Sequence, residues 1–315
     1  MNGATSAPFA PQPACWICGG DSLAPVHEAI FELSEYVKQD PELARYTGAH
    51  VELNRCASCG FAQPAALPAL DRYFDRMYDQ RWSADWIRNE FEAPYKDVIF
   101  RGILDTLADR LPSGRRRLLD VGAHAGRFVA MARQAGWDAE GLELNPQTAA
   151  YAVERTGAPI RQLNVHEVDP LGAQFDAITL TDVLEHIPRP VAVLERAATL
   201  LAPAGWIAVK VPAGPAQLRK ETWRGRLRPG YRPTVADNLV HVSHFSPRAL
   251  ASALERAGFA DISVRPGAPE LPATAGATGR LSRGVRIGLY AAGRMLPWGV
   301  HLPVTLNLQA FARRP

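Results

Sequence analysis

The segment LLDVGAHAGRF at residues 118–128 constrains the fold of this chain more than any other stretch. An apolar run ends in Asp120, and the chain then turns through Gly122 and Gly126 into a helix opening near Arg127. Glycines suit such a turn because they adopt positive φ without strain and let a ligand approach the backbone. The turn also aims unpaired helix N-terminal amides at whatever binds there, which favours an anionic group such as a carboxylate. GLELNP follows at 141–146, and Glu143 ends the next expected strand, where its carboxylate can accept both hydroxyls of a ribose. FDAITLTDVLEHIPRP at 175–190 adds a third apolar strand with Thr181, Asp182, Glu185 and His186 at its carboxyl end. Open α/β sheets bind ligands at that edge.

The glycine pattern sorts the nucleotide chemistries. A dinucleotide fingerprint requires Gly-x-Gly-x-x-Gly, but the third and sixth positions here are His124 and Arg127. No Gly-Lys-Ser/Thr follows the turn, which excludes a P-loop. The segment resembles motif I of the class I S-adenosylmethionine-dependent methyltransferases, Asp-x-Gly-x-Gly-x-Gly, matching at Asp120, Gly122 and Gly126 and departing at His124. Histidine enters left-handed backbone conformations more readily than most residues. Two readings of His124 follow: it packs over a reshaped turn, or its ring faces the methionine end of the cofactor or the substrate.

The resemblance covers about residues 95–265 and implies a Rossmann-like, doubly wound, seven-stranded α/β sheet. A helix at 146–155, a short strand at 159–163, a helix at 191–201 and a strand at 206–211 continue the alternation that by itself argues for a parallel sheet covered on both faces. Cofactor contacts are implied for Asp120, Gly122, His124, Gly126, Glu143, Leu144, Thr181 and Asp182, with Asn164 against the adenine.

Cys15-x-x-Cys18 and Cys56-x-x-Cys59 account for all four cysteines. A two-residue spacer lets both sulfurs of a pair reach one ion, and four thiolates close a tetrahedral structural zinc site. The 37 residues between the pairs exceed the usual ribbon loop, so the intervening chain makes an excursion, with a helix expected around residues 28–39. Two disulfides or four reduced thiols are the alternatives. The opening MNGATSAPFAPQPA lacks the basic start and apolar core of a secretory signal, so a cytoplasmic chain with reduced thiols is expected. No open fourth position is suggested, which argues against a catalytic zinc.

Together with His241-Val-Ser-His244-Phe-Ser-Pro, these features resemble bacterial zinc-module methyltransferases of glycan, deoxysugar and natural-product biosynthesis. The expected organisation is a zinc-binding module at 1–65, a helical connector and cofactor cover at 66–110, and a methyltransferase domain at 111–315 with basic substrate-lid insertions at 212–240 and 268–300. The acceptor implied is a hydroxyl of a sugar, nucleotide-sugar or natural product. Related deoxysugar C-methyltransferases carry a further C-terminal domain, so methylation at a sugar carbon is not expected. The connector's LDRYFDRMYDQRWSADW is rich in aromatics, which either stack on cofactor or substrate or cement the two domains.

A net charge of +3 is too small to argue for nucleic acid, and no uninterrupted apolar run approaches a membrane span. An RNA methyltransferase gripping nucleic acid through the zinc module is the first alternative. Against it, Thr181-Asp182-Val183-Leu184 is not the Asn/Asp-Pro-Pro-Tyr type used on base amines, and no spare cysteine exists to attack a pyrimidine. A non-catalytic scaffold is the second, opposed by the intact Asp120, Gly122, Gly126 and Glu143.

Displacement at a sulfonium methyl needs chiefly alignment, but a hydroxyl acceptor also needs a base. His186, His241 and His244 are the candidates near the carboxyl edge of the sheet. Their alternatives are structural: His186 orients the loop below the cofactor, and one of the other two caps the following helix. Two histidines without a third ligand make a poor metal site. LRKETWRGRLRPGYRP at 218–233 clusters Arg219, Lys220, Arg224, Arg226, Arg228 and Arg232 to grip a phosphate-bearing acceptor, with Trp223 and Tyr231 to stack on it, unless the loop is ordinary solvated surface. RLSRGVRIGLYAAGRMLPW at 280–298 has helical spacing, for packing over the sheet or for peripheral contact with an anionic membrane.

Overall fold

A computed structural model of the protein describes residues 9–78, 82–114, 116–169, 174–228, 241–271, 277–302 and 305–315. Its N-terminal part is built from five short strands, β1 (Phe9–Pro11), β2 (Leu23–Ile30), β3 (His50–Cys56), β4 (Ala62–Pro64) and β5 (Ala66–Pro68). β1 pairs with β5, and β2-β3-β4 form a separate antiparallel sheet. The helix expected at 28–39 is largely absent. Residues up to Ile30 are held extended by pairing with β3, Glu28 opposite Glu52 and Ile30 opposite His50, and only Ser34–Val37 (α1) turns helical. The helical connector comprises α2 (Tyr73–Tyr78), α3 (Ala84–Glu92) and α4 (Asp97–Arg110). Ser83 caps α3 by accepting from the Trp86 amide at 3.2 Å, and α4 buries Ile99, Ile103 and Leu107 at a four-residue spacing.

The central sheet has seven strands: β6 (Arg117–Val121), β7 (Asp138–Leu142), β8 (Ile160–Arg161), β9 (Phe175–Thr181), β10 (Leu201–Pro212), β11 (Ala260–Pro266) and β12 (Asn307–Arg313). Their order is β8-β7-β6-β9-β10-β12-β11, parallel from β8 through β10, with β12 antiparallel to both of its neighbours. Successive side chains point to opposite faces, so Leu119, Ile178 and Ile207 enter one core and Leu118, Ala177 and Ala208 the other. Helices α5 (Arg127–Gln134), α6 (Pro146–Thr156), α7 (Val191–Leu200), α8 (Gly214–Leu227), α9 (Pro247–Arg256) and α10 (Ala277–Met295) occur between the strands. The strand order reverses between β6 and β9, and that reversal is where an open α/β sheet leaves a crevice.

Two expectations change. The basic segment after β10 is helical through Leu227, because LRKETWRGRL is rich in helix formers and places Glu221 3.5 Å from Arg224 one turn on. Residues 229–240, Tyr231 among them, lie outside the described part. α10 forms at the anticipated spacing but covers little, since Leu281 stays 70% exposed and Val285 and Leu289 are exposed on the same stripe.

The turn after β6 depends on Gly126, which sits at φ +84° where a Cβ would lie 2.9 Å from Thr156 Cγ2 and 3.1 Å from Ala152 Cβ. Gly157, also at positive φ, has open space around it. Gly126→Ala should therefore destabilise the protein by about 1–3 kcal/mol more than Gly157→Ala, read from urea midpoints. Equal losses would mean that backbone conformation alone sets the requirement.

Candidate active site

The crevice is built by three strand ends. Gly122, at φ +77°, leaves no room for a side chain, because a Cβ there would approach Val183 Cγ2 to 2.6 Å. Its amide and that of Ala123 both donate to the Leu142 carbonyl at 2.8 Å, locking the turn to the end of β7. His124 follows at φ +50°, and its amide donates to Glu143 Oε2 at 2.8 Å while the Asn145 amide donates to Oε1 at 2.8 Å. Each carboxylate oxygen keeps a further lone pair, enough to receive a vicinal diol. Burial pushes the Glu143 carboxyl up, with the amide donors opposing it. Asp120 accepts from Thr179 Oγ1 at 2.6 Å, and burial pushes its carboxyl up to about 7.

A cleft opens here, lined by Tyr95, Lys96, Asp120, Gly122, His124, Phe128 and Thr181. The Thr181 hydroxyl is buried without a hydrogen-bond partner among the described residues. A polar atom so left beside a bared turn and a diol-accepting carboxylate fits a nucleoside ligand. The His124 ring meets Trp86 of α3 edge-on at 5.0 Å, and Trp82 lies 4.8 Å beyond; burial, with Lys96 adding to it, lowers the imidazole to about 4. His124 thus packs against the connector while also lining the cleft. Leu144 is partly exposed beside Glu143. Asn164 lies outside the cleft lining: its side chain accepts from the His166 amide at 3.1 Å, and Glu167 returns the bond to its own amide, closing a capping box.

Asp182 lies between two ammonium groups that sequence reasoning missed. Lys210 Nζ contacts Asp182 Oδ1 and lies 3.4 Å from Glu270 Oε1, and Lys96 Nζ lies 2.9 Å from Asp182 Oδ2. Burial works to raise the Asp182 carboxyl, but Lys210 and Lys96 together hold it well below the usual carboxylate range. Lys210 is 1% exposed, and its signal was visible as a lone charge inside GWIAVKVP, a stretch that otherwise demands burial. Removing one partner of such a pair typically costs about 3–5 kcal/mol.

The three histidines converge beside the end of β9. His186 and His241 meet edge to face at 4.7 Å, and the Gln217 side chain of α8 spans to His241 Nδ1 at 3.0 Å and His244 Nδ1 at 3.2 Å. Burial, reinforced by the neighbouring His186 and His244, keeps His241 well below the ordinary histidine range. Glu185 is buried between them, and its main-chain carbonyl accepts from the amides of Val242 and Ser243 at 2.8 and 2.9 Å. Residues 241–246 are extended rather than the start of a helix. Pro247 sets the first turn of α9 and Ser246, not a histidine, caps it by accepting from the Ala249 amide at 3.0 Å.

The cysteines face the same loop. Cys15 and Cys56 open equivalent turns, closed by Gly19 N to Cys15 O and Gly60 N to Cys56 O at 2.9 Å each. The four sulfurs lie within 4.8 Å of one another, with Cys15–Cys59 at 3.6 Å and Cys18–Cys56 at 3.5 Å. Thiolates about 2.3 Å from a tetrahedral zinc would stand roughly 3.8 Å apart, so the donor set fits that ion. Behind it, Phe61 meets Phe245 at 5.1 Å, Ala62 and His244 exchange both backbone hydrogen bonds, and Ser246 Oγ donates to the Cys59 carbonyl at 2.9 Å.

A second opening of about 570 Å³ is lined by Gln217, Arg219, Lys220, Trp223, Glu270, Arg286 and Asn307. Arg224 and Arg226 are not in its lining. The helical turn carries them past it, and Arg224 instead lies 3.5 Å from Glu221.

Comparison with known proteins agrees with this geometry. A family model described as a methyltransferase domain matches residues 93–264, more than half of the chain. A ubiquinone biosynthesis O-methyltransferase of Paracidovorax citrulli is 35% identical over 160 residues, 48% of this chain and 63% of that protein. One of Bordetella avium is 31% identical over 102 residues, 29% of this chain and 41% of that protein, so the chain spans roughly half the length of such curated relatives. The plantazolicin methyltransferase BpumL in complex with SAH shares the fold at a TM-score of 0.51 and 12% identity, covering 77% of this chain and 94% of that one. A chain from the complex of a methyltransferase with the Haloferax volcanii Trm112 methyltransferase activator does so at 0.51 and 14%, covering 78% and 100%. With the glycine turn, the paired strand-end carboxylates and the seven-stranded order, these matches make the chain a member of the methyltransferase-domain family.

Proposed function

We propose that this enzyme moves the methyl group of S-adenosylmethionine to a hydroxyl of a small-molecule or glycan acceptor bearing phosphate or another anionic group, such as a nucleotide-sugar or a natural product. The observation that carries the reading is the meeting of a nucleoside-fitting cleft with the His186–His241 cluster at one sheet edge. The naming of the relatives as O-methyltransferases supports a hydroxyl acceptor. S-adenosylmethionine supplies an electrophilic methyl when bound. Glu143 takes the ribose hydroxyls, Asp120 and the Gly122–Gly126 turn face the methionine portion, and Thr181 gives the ligand a hydrogen bond. The acceptor enters along the groove of Arg219, Lys220, Trp223 and Arg286, a basic wall with a stacking ring, and presents its hydroxyl to the histidines. Residues 1–65 act as a structural zinc module held by Cys15, Cys18, Cys56 and Cys59, and residues 66–110 cover the cofactor through Trp86 and Lys96.

Glu143→Ala should weaken S-adenosylmethionine binding by about 1–3 kcal/mol in calorimetry, the range for losing hydrogen bonds to a charged group; affinity equal to wild type would refute the ribose assignment. Reversing Arg219 and Lys220 to Glu should raise KM for an anionic acceptor about tenfold or more, while reversing Arg224 and Arg226 should have little effect. The opposite ranking would move acceptor binding off this groove.

A further inference from the structure

We propose that α10 docks the protein on an anionic lipid bilayer, lying in the plane of the headgroups. This contact is independent of the methyl-transfer reading above.

α10 is inserted between β11 and β12, beyond residue 264 where the match to the methyltransferase-domain family ends. It rests on the protein through one narrow face. Tyr290 packs against the core that α4 and α5 fill, and Gly293 lies against β11, where an added Cβ would stand 3.6 Å from Pro266. Gly279 is buried and Arg286 half-buried on the same side, since residues seven, four and three apart share a helix face.

The opposite side carries Leu281, Val285, Leu289, Ala292 and Met295 at four- and three-residue intervals, all of them exposed and Met295 to 84%. Leu296 and Trp298 prolong the stripe past the helix end, with Trp298 56% exposed. A single exposed leucine is ordinary on a protein surface, but an unbroken apolar stripe marks a binding face.

The charge pattern names the occupant. Arg280, Arg283 and Arg294 fall together on one flank of the stripe, and residues 271–315 contain neither aspartate nor glutamate. The acid that precedes them, Glu270, lies 3.4 Å from Lys210. A second copy of the chain brings only more arginines to this face, whereas anionic headgroups supply the missing charge. Arginine suits the depth as well, because its alkyl stem lies along apolar surface while the guanidinium reaches a phosphate. Trp298 belongs at the same level, where an indole meets hydrocarbon on one side and water on the other. α10 is not apolar enough to cross a bilayer, and a helix with an apolar stripe and a basic flank lies in the interface instead. Arg286 of α10 lines the second opening together with Arg219, Lys220 and Trp223 of α8, so docking sets that opening beside the headgroup layer.

Full-length protein should be floated with vesicles of equimolar phosphatidylglycerol and phosphatidylcholine, and with vesicles of phosphatidylcholine alone, in low and in high sodium chloride. Flotation with the anionic vesicles is expected, about tenfold stronger or more than with the neutral ones and falling as salt screens the headgroups. Two triple variants, Leu281→Gln with Val285→Gln and Leu289→Gln, and Arg280→Glu with Arg283→Glu and Arg294→Glu, should each weaken it by about tenfold or more and leave S-adenosylmethionine affinity unchanged. Doxyl-labelled lipid should quench the tryptophan fluorescence of the wild type more than that of Trp298→Phe. Circular dichroism checks each fold, and should the arginine variant not fold, the two vesicle types and the stripe variant decide. Equal flotation with neutral vesicles, or full flotation of the stripe variant, would overturn the proposal. So would a wild type that stays off the vesicles and instead pairs with a second copy through Leu281 and Val285. Failure of the wild type to bind S-adenosylmethionine would sink the methyl-transfer reading without bearing on the flotation.

Discussion

The main-chain carbonyl of Glu185 holds the candidate active site together. By accepting from both the Val242 and Ser243 amides, it fastens a loop from beyond α8 to the turn after β9, more than fifty residues earlier in the chain. That loop carries His241 and His244, and its far end is fastened again, by Ser246 to the Cys59 carbonyl and by the exchange of hydrogen bonds between His244 and Ala62. The cysteine turns, the histidine loop and the turn after β9 are thus one hydrogen-bonded series. Cys15, Cys56, Cys59 and Phe61 share a buried cluster with Leu180 and Phe245 of the methyltransferase core, so apolar burial reinforces the same connection.

Charge is managed along the same edge. Asp120, Glu143, Asp182 and Glu185 are four carboxylates at or near the ends of β6, β7 and β9, and crowding them out of water would be prohibitive without compensation. The structure compensates differently at each. Asp182 has Lys96 and Lys210, Glu143 has two backbone amides, Asp120 has the Thr179 hydroxyl, and Glu185 Oε2 has no hydrogen-bond partner among the described residues. That ranking separates the carboxylate that braces the edge from those with capacity left for a ligand.

Much of this was legible in the sequence. Asp120, Gly122 and Gly126 announce the turn because only a narrow set of residues tolerates its backbone, and Glu143 follows from its distance beyond the next apolar strand. The CxxC pairs announce their cluster because two-residue spacing is what a shared ion demands. The misses share a cause. Lys96 and Lys210 matter only because the fold brings them to Asp182 from 86 and 28 positions away, and no local pattern encodes that meeting. The same holds for Gln217 between two histidines. The helix expected at 28–39 failed because cross-strand pairing with β3 overrode a local preference.

The most direct test of this connected architecture is amide hydrogen exchange at residues 241–246 and 183–187, compared between wild type and Cys59→Ser with zinc content measured in both. Loss of the thiolate should lower protection of the Val242 and Ser243 amides by about tenfold or more while the α6 amides keep theirs, since local opening tracks local hydrogen bonding. Unchanged protection at Val242 and Ser243 in a zinc-free protein would contradict the account, leaving the cysteine cluster as an appendage unconnected to the site.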